Sequence, residues 1–159
     1  MYVSVIGAGE CGPELSETAR QVGFEVGRRG HVLVCGGLGG VMDAAARGAA
    51  EAGGFSIGIL PGPDRVGASV SLTYSMPTGM GEARNALVAR AADALIAIGG
   101  GYGTLSEIAL ALKMRKAVIG LETWELPGRE PWPVRKATSA AEAVQMAERA
   151  TRVSKGGFV

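Results

Sequence analysis

The sequence predicts an α/β fold, a doubly wound parallel sheet with helices on both faces, and three observations predict it. Short runs rich in Val and Ile alternate with longer, Ala-rich stretches of helical period, the pattern of βα units in a parallel sheet. Three strand-to-helix junctions are rich in glycine: GAGECG at 7–12, CGGLGG at 35–40 and GGGYG at 99–103. The chain of 159 residues is long enough for one substantial core and too short for two ordinary ones. Together these describe a single Rossmann-like domain over residues 1–159.

Taken in order, the strands are expected at 2–6 (YVSVI), 31–35 (HVLVC), 55–60 (FSIGIL), 94–98 (ALIAI) and 117–121 (AVIGL), with a weaker one within 69–75. Helices are expected at 13–29, 41–52, 79–92, 104–115 and 139–149. Pro13 suits a first helical position, where its missing N–H costs nothing, and Ser139 with Glu142 reads as a capping box. Segment 122–137 carries three prolines and both tryptophans and is expected to be an irregular surface excursion. No internal repeat or low-complexity tail interrupts the pattern.

Composition excludes several function classes. A net charge of +1 with a pI near 7.8 gives no general attraction to polyanions, and the short basic runs at 28–30 and 113–116 sit where helices should end, so no nucleic-acid partner is expected. Two cysteines and one histidine support neither a disulfide framework nor a zinc site. No uncharged apolar stretch approaches the roughly 18 residues of a membrane span, and residues 1–9 lack the basic start of a secretory signal. A cytoplasmic protein without a membrane partner is the expectation.

The glycine junctions carry the chemistry. In a parallel sheet all of them emerge at the C-terminal edges of the strands, where ligands of such folds bind. A helix N-terminus there presents unpaired N–H groups and the positive end of its dipole, and glycine lets an anion come close. GAGECG has the G-x-G-x-x-G form of a dinucleotide site, but the second strand ends Val34, Cys35, Gly36, without the acidic residue that would hold a ribose. No P-loop is present. Cys11 and Cys35 flank the crevice and read as small packing residues; His31 starts the second strand on the opposite edge.

Two charged residues stand out. Arg84, in GMGEARNALVAR, falls within the stripe Met80, Ala83, Leu87, Ala91 of a helix beginning at Gly79, so it needs an anionic partner, a bound phosphate or Glu107, or an exit to water. Glu107 fits a capping box with Thr104 as N-cap. The apolar stripe Leu105, Ile108, Ala109, Leu112 puts it on the far side of its helix, free to cap, to face solvent or to point into the crevice.

GGGYGTLSE resembles the P-G-G-x-G-T-x-x-E signature of the LOG family, also labelled "lysine decarboxylase-like", and Arg84 stands at the family's spacing ahead of it. CGGLGGVMDAAARGAAEAGG resembles the family's earlier glycine-rich segment and IGILP at 57–61 the end of its next strand, so the likeness spans most of residues 2–121. It implies a homodimer or higher homo-oligomer that hydrolyses the N-glycosidic bond of nucleoside 5′-monophosphates. In that role Gly100, Gly101, Gly103 and Thr104 hold the phosphate, Arg84 orients the substrate and Glu107 acts at the ribose. Gly36, Gly37, Gly39, Asn85 and Tyr102 complete the expected ligand-contacting set. Gly99 stands where the signature has Pro, Asn85 where Lys follows the Arg, and Ala83 where Glu precedes it. These departures resemble the short branch that includes molybdenum-cofactor carrier proteins. Decarboxylation would need a lysine for pyridoxal phosphate at a crevice junction, and none is there.

The expected function is therefore binding of a small phosphorylated ligand, a nucleotide or a pterin-like molecule, with phosphoribohydrolase activity and no cofactor required. The alternative is a non-catalytic carrier of bound molybdenum cofactor.

Overall fold

The computed structural model describes residues 1–126 and 131–155. Strand β1 (Tyr2–Gly7) leads into helix α1 (Pro13–Arg28), β2 (Val32–Cys35) into α2 (Val41–Glu51), and β3 (Phe55–Leu60) through a long loop into β4 (Tyr74–Pro77). A 3-10 turn (Gly81–Arg84) runs directly into α3 (Asn85–Ala91). Then come β5 (Ala94–Ile98), α4 (Tyr102–Lys113), β6 (Ala117–Leu121), the two-residue β7 (Arg135–Lys136) and α5 (Ala140–Lys155).

All neighbouring strands pair in parallel, in the order β4-β3-β2-β1-β5-β6-β7. Side chains alternate across the sheet as strand geometry demands. Val3 and Val5 of β1 pack with α1, α2 and α5, while Ile6 packs on the other face with α3 and α4. Winding reverses between β1 and β5, so the crevice outside their C-terminal ends is the place where such a sheet receives a ligand.

Some of the glycine excess is spent on packing. At Gly23 of α1 an added Cβ would lie 1.9 Å from the Ala45 carbonyl oxygen, and at Gly48 of α2 it would lie 1.9 Å from that of Arg20. The two helices touch backbone to backbone, which only a missing side chain permits.

Several local expectations are corrected. The weak strand at 69–75 is displaced to Tyr74–Pro77, because the chain first makes a polar turn in which Ser69 and Ser71 donate to Asp43. Segment 122–137 contributes β7, an edge strand on β6; its residues 127–130 lie outside the described residues. The helix expected from Gly79 begins as a 3-10 turn at Gly81, and the one expected from Thr104 begins at Tyr102. Pro13 occupies the first turn of α1 as expected. The capping box before α5 forms in altered shape: Ser139 accepts from the Glu142 N–H at 3.2 Å, while the Glu142 carboxylate reaches back to Thr138, accepting from its N–H and its hydroxyl.

Candidate functional site

A cavity of about 280 Å³ opens at the reversal point, between the turn after β1 and the start of α4. Its wall consists of Gly7, Ala8 and Gly9 from the first glycine junction, Leu38 and Met42 around the second, Glu82, Arg84 and Asn85 before and at the start of α3, and Gly101, Gly103, Thr104 and Glu107 from α4. Gly101 caps α4 in extended conformation with no side-chain cap. The first N–H groups of the helix therefore remain available to a ligand.

Arg84 is held under this cavity by the loop that follows β4. Gly79 N–H donates to the Gly62 carbonyl and Gly81 N–H to that of Pro61, hooking the loop back over the end of β3. The guanidinium then reaches along the strand ends: Nε donates to the Ile59 carbonyl at 2.9 Å, one terminal nitrogen to the Gly36 carbonyl at 3.3 Å, and the other to Oδ1 of Asn85. Asn85 is oriented in turn by its Nδ2 donating to Ser106 at 3.0 Å. Arg84 is only 5% exposed, yet among the described residues it takes part in no ion pair. Three neutral acceptors engage three of its five N–H groups, and two remain for a ligand.

Glu107 overturns two expectations. It is the sixth residue of α4, so it caps nothing, and Thr104 is the third residue rather than the N-cap. The buried stripe of the helix is Thr104, Glu107, Ile108 and Ala111, which places Glu107, 6% exposed, on the sheet side instead of the far side. Its side chain leans toward the helix N-terminus, as helical Cβ atoms do, and lines the cavity. Burial pushes its carboxyl up to about 7; the Arg84 charge works against that rise and Glu82 adds to it.

The glycines divide into two kinds. At Gly36 an added Cβ would lie 2.8 Å from both the Arg84 guanidinium and the Met42 sulfur, so this position is bare to admit the arginine. Gly37 packs its backbone on Leu60 and Gly58, Gly39 approaches the Gly9 carbonyl, and Gly100, at φ +113, faces Thr104. These three shape the turns without lining the cavity. Gly101 and Gly103 differ, since nothing lies within 4 Å of where their Cβ atoms would be. The protein does not need them small, and the space over them opens on the cavity.

Of the expected residues, the structure brings together Arg84, Asn85, Gly101, Gly103, Thr104 and Glu107. Tyr102 lies outside the wall, 84% exposed and stacked on Trp124 at 5.9 Å between ring centroids. Trp124 is tied to the same turn by donating to the Gly101 carbonyl at 3.1 Å. Sequence reasoning missed Gly7, Ala8, Gly9, Leu38, Met42 and Glu82 as individual contacts. The G-x-G at 7–9 signalled the first three; nothing local marks Met42 or Glu82. Cys35 is fully buried with its thiol pushed up to about 12 by burial, which leaves it inert, and Cys11 is free as well.

Two solved structures, one further relative and one family are similar to this chain. The structure of the molybdenum cofactor binding protein from the phototrophic bacterium Rippkaea orientalis superposes with a TM-score of 0.87 at 36% identity, over 93% of this chain and 95% of that one. The molybdenum cofactor carrier protein of Chlamydomonas reinhardtii gives a TM-score of 0.83 at 32% identity, over 95% and 98%. An uncharacterised protein of Archaeoglobus fulgidus is 48% identical over 122 residues, which make up 77% of this chain and 80% of that protein. The SLOG cluster4 family matches residues 1–154. A glycine-lined crevice holding a buried arginine at the reversal of a parallel sheet, together with a match along almost the whole sequence, shows that this chain belongs to the SLOG cluster4 family.

Proposed function

We propose that this protein binds molybdenum cofactor, a pterin bearing a phosphate, and carries it in the crevice without transforming it. One observation carries the reading: an arginine 95% removed from water, without an acidic partner among the described residues, lines a cavity that also receives the free N–H groups of α4. An unpaired buried cation is strongly unfavourable, and a phosphate at a helix N-terminus is its natural counter-charge. Gly101, Gly103 and Thr104 cradle the phosphate, Arg84 neutralises it and Asn85 keeps Arg84 in place. Gly36, Gly37, Gly39 and Gly100 give the surrounding turns their shape, and Tyr102 edges the entrance. The similarity to solved cofactor-binding and carrier proteins, at 36% and 32% identity over nearly the full chain, supports this ligand.

Among the described residues no group of three or more His, Cys, Asp or Glu side chains could hold a metal ion, so the grip on this cargo falls on its organic part and its phosphate. The reading places the protein in the cytoplasm, in keeping with free Cys11 and Cys35. No helix among the described residues is long and apolar enough to cross a membrane. The reading also includes a homo-oligomer, supported by the exposed Phe55, Tyr74 and Met76 at the β3–β4 edge.

A second reading, hydrolysis of a nucleoside 5′-monophosphate to free base and ribose 5-phosphate, is favoured by the two carboxyl groups in the wall. Glu107, held up to about 7, would serve as the proton donor, and exposed Glu82 would supply the second carboxyl group. One experiment separates the two. Purified protein mixed with molybdenum cofactor should retain it through gel filtration and should release no adenine from AMP. Adenine release that Glu107→Gln abolishes would replace the carrier with the hydrolase, and neither retention nor release would end both.

A further inference from the structure

Resting on that reading of the crevice, the next question is which end of the ligand lies against Glu107. Among the described residues no hydrogen bond or ion pair reaches its carboxyl group, although it is 94% buried and lines the cavity. No fully buried side-chain oxygen among the described residues lacks a partner, so the carboxyl oxygens of Glu107 open on the cavity, where two coplanar N–H groups are their best complement. The wall therefore offers two kinds of polar group. Arg84 and the start of α4 offer donors and positive charge to an acceptor group, whereas Glu107 offers two acceptor oxygens to a donor group. Met42 and Leu38 add apolar surface to the same wall, which suits the face of a flat ring and not a polyol.

We propose that Glu107 selects the ring of the ligand by accepting two parallel N–H bonds from a 2-amino-4-oxopyrimidine edge, the N–H and NH₂ pair that pterins and guanine share. Adenine presents a ring-nitrogen lone pair and a single amino group on the corresponding edge, so one carboxylate oxygen would face another acceptor. Hypoxanthine keeps the ring N–H and lacks the amino group. Glu107 acts in its ionised form, so binding expels its proton. The ionisable groups around it are Arg84, which favours the carboxylate, Glu82, which opposes it, and Cys35, which burial keeps neutral.

The test is calorimetric titration with GMP, IMP and AMP, which share their phosphate and ribose. GMP should bind about tenfold or more tighter than IMP, as a lost hydrogen bond to a charged group implies, and AMP should be weakest. The GMP-to-IMP ratio should grow as pH rises from 6 to 8, because the protonated carboxyl keeps a single carbonyl acceptor that either ring N–H satisfies, while the phosphate's own titration cancels in the ratio. Glu107→Gln should bring that ratio close to one. Titration with guanosine and 6-hydroxymethylpterin, neither phosphorylated, tells the two sources apart: the tighter of the two names the natural ring.

Equal affinity for GMP and IMP in the unaltered protein overturns the proposal, as does a ratio that Glu107→Gln leaves unchanged, or no binding of any nucleotide. Cofactor retention with equal GMP and IMP affinities would sink this inference and keep the carrier. A GMP preference without cofactor retention would do the reverse.

Discussion

The two ends of the sheet treat charge in opposite ways. At the N-terminal edge His31 Nε2 lies 2.8 Å from Glu148, Arg29 contacts Glu148 and Glu25 at 3.1 Å each, and Arg28 pairs with Glu25 at 2.7 Å. Burial would raise the Glu148 carboxyl, yet hydrogen bonds from His31 and Arg29 and their charges hold it below the usual carboxylate range. At the C-terminal edge Arg84 and Glu107 are more deeply buried, share one cavity, and are paired neither with each other nor with any other charge among the described residues. The same chain satisfies charges readily where only folding is at stake. Charges left open at one edge are the feature on which the proposed ligand site rests.

Arg84→Ala should give the largest effect. Affinity for GMP should fall by about a hundredfold or more, the scale of a buried charge-assisted contact, while affinity for guanosine changes little. Calorimetry with both reads the difference, and equal losses would show that the arginine does not meet the phosphate.

Glu107→Gln sharpens the same contrast through stability. Because folding raises this carboxyl from 4.5 to about 7, the folded state holds a proton that the unfolded chain has lost. Stability therefore declines as pH climbs from about 4.5 to about 7 and is level above. The shift corresponds to about 3 kcal/mol, which the glutamine variant should recover at pH 8 in urea unfolding and not at pH 4. A variant no more stable at pH 8 would mean that the cavity already solvates the carboxylate.

The smallest effect is expected at the closed end. Glu148→Gln should cost about 1 kcal/mol at pH 7, with ligand binding intact. Since that carboxyl is depressed in the fold, the loss should fade as pH drops through the acid range. Impaired binding in this variant would show that the two ends are coupled and would break the comparison.

Particular residues show how far the site could be read in advance. The three glycine junctions converge on one edge as their βα pattern requires, and the deep burial of Arg84 follows from its place beside an apolar helix. The supporting stripe was misread, however: Met80 and Leu87 are exposed, and Val88 and Ala89 are the residues that face the core. The orientation of Glu107 was unreadable for a related reason. Gly101 starts α4 early, and contact with α3 and the sheet buries Thr104 and Glu107 while Ala109 faces outward. Hydrophobicity alone assigned the wrong side. Met42 and Glu82 carry no local mark, since Met42 is placed where the Val41 N–H ties the start of α2 to the Ala8 carbonyl, and Glu82 by the return of the β4 loop over Pro61 and Gly62.

By itself the sequence determined the parallel α/β layering and the edge at which a ligand would enter, because strand and helix periods and glycine turns are local properties of the chain. Only the tertiary structure decided which charges stay unpaired there. Pairing depends on the rotation of α4 and the path of Arg84 beneath the ends of β2 and β3, and both are set by packing between residues far apart in the chain.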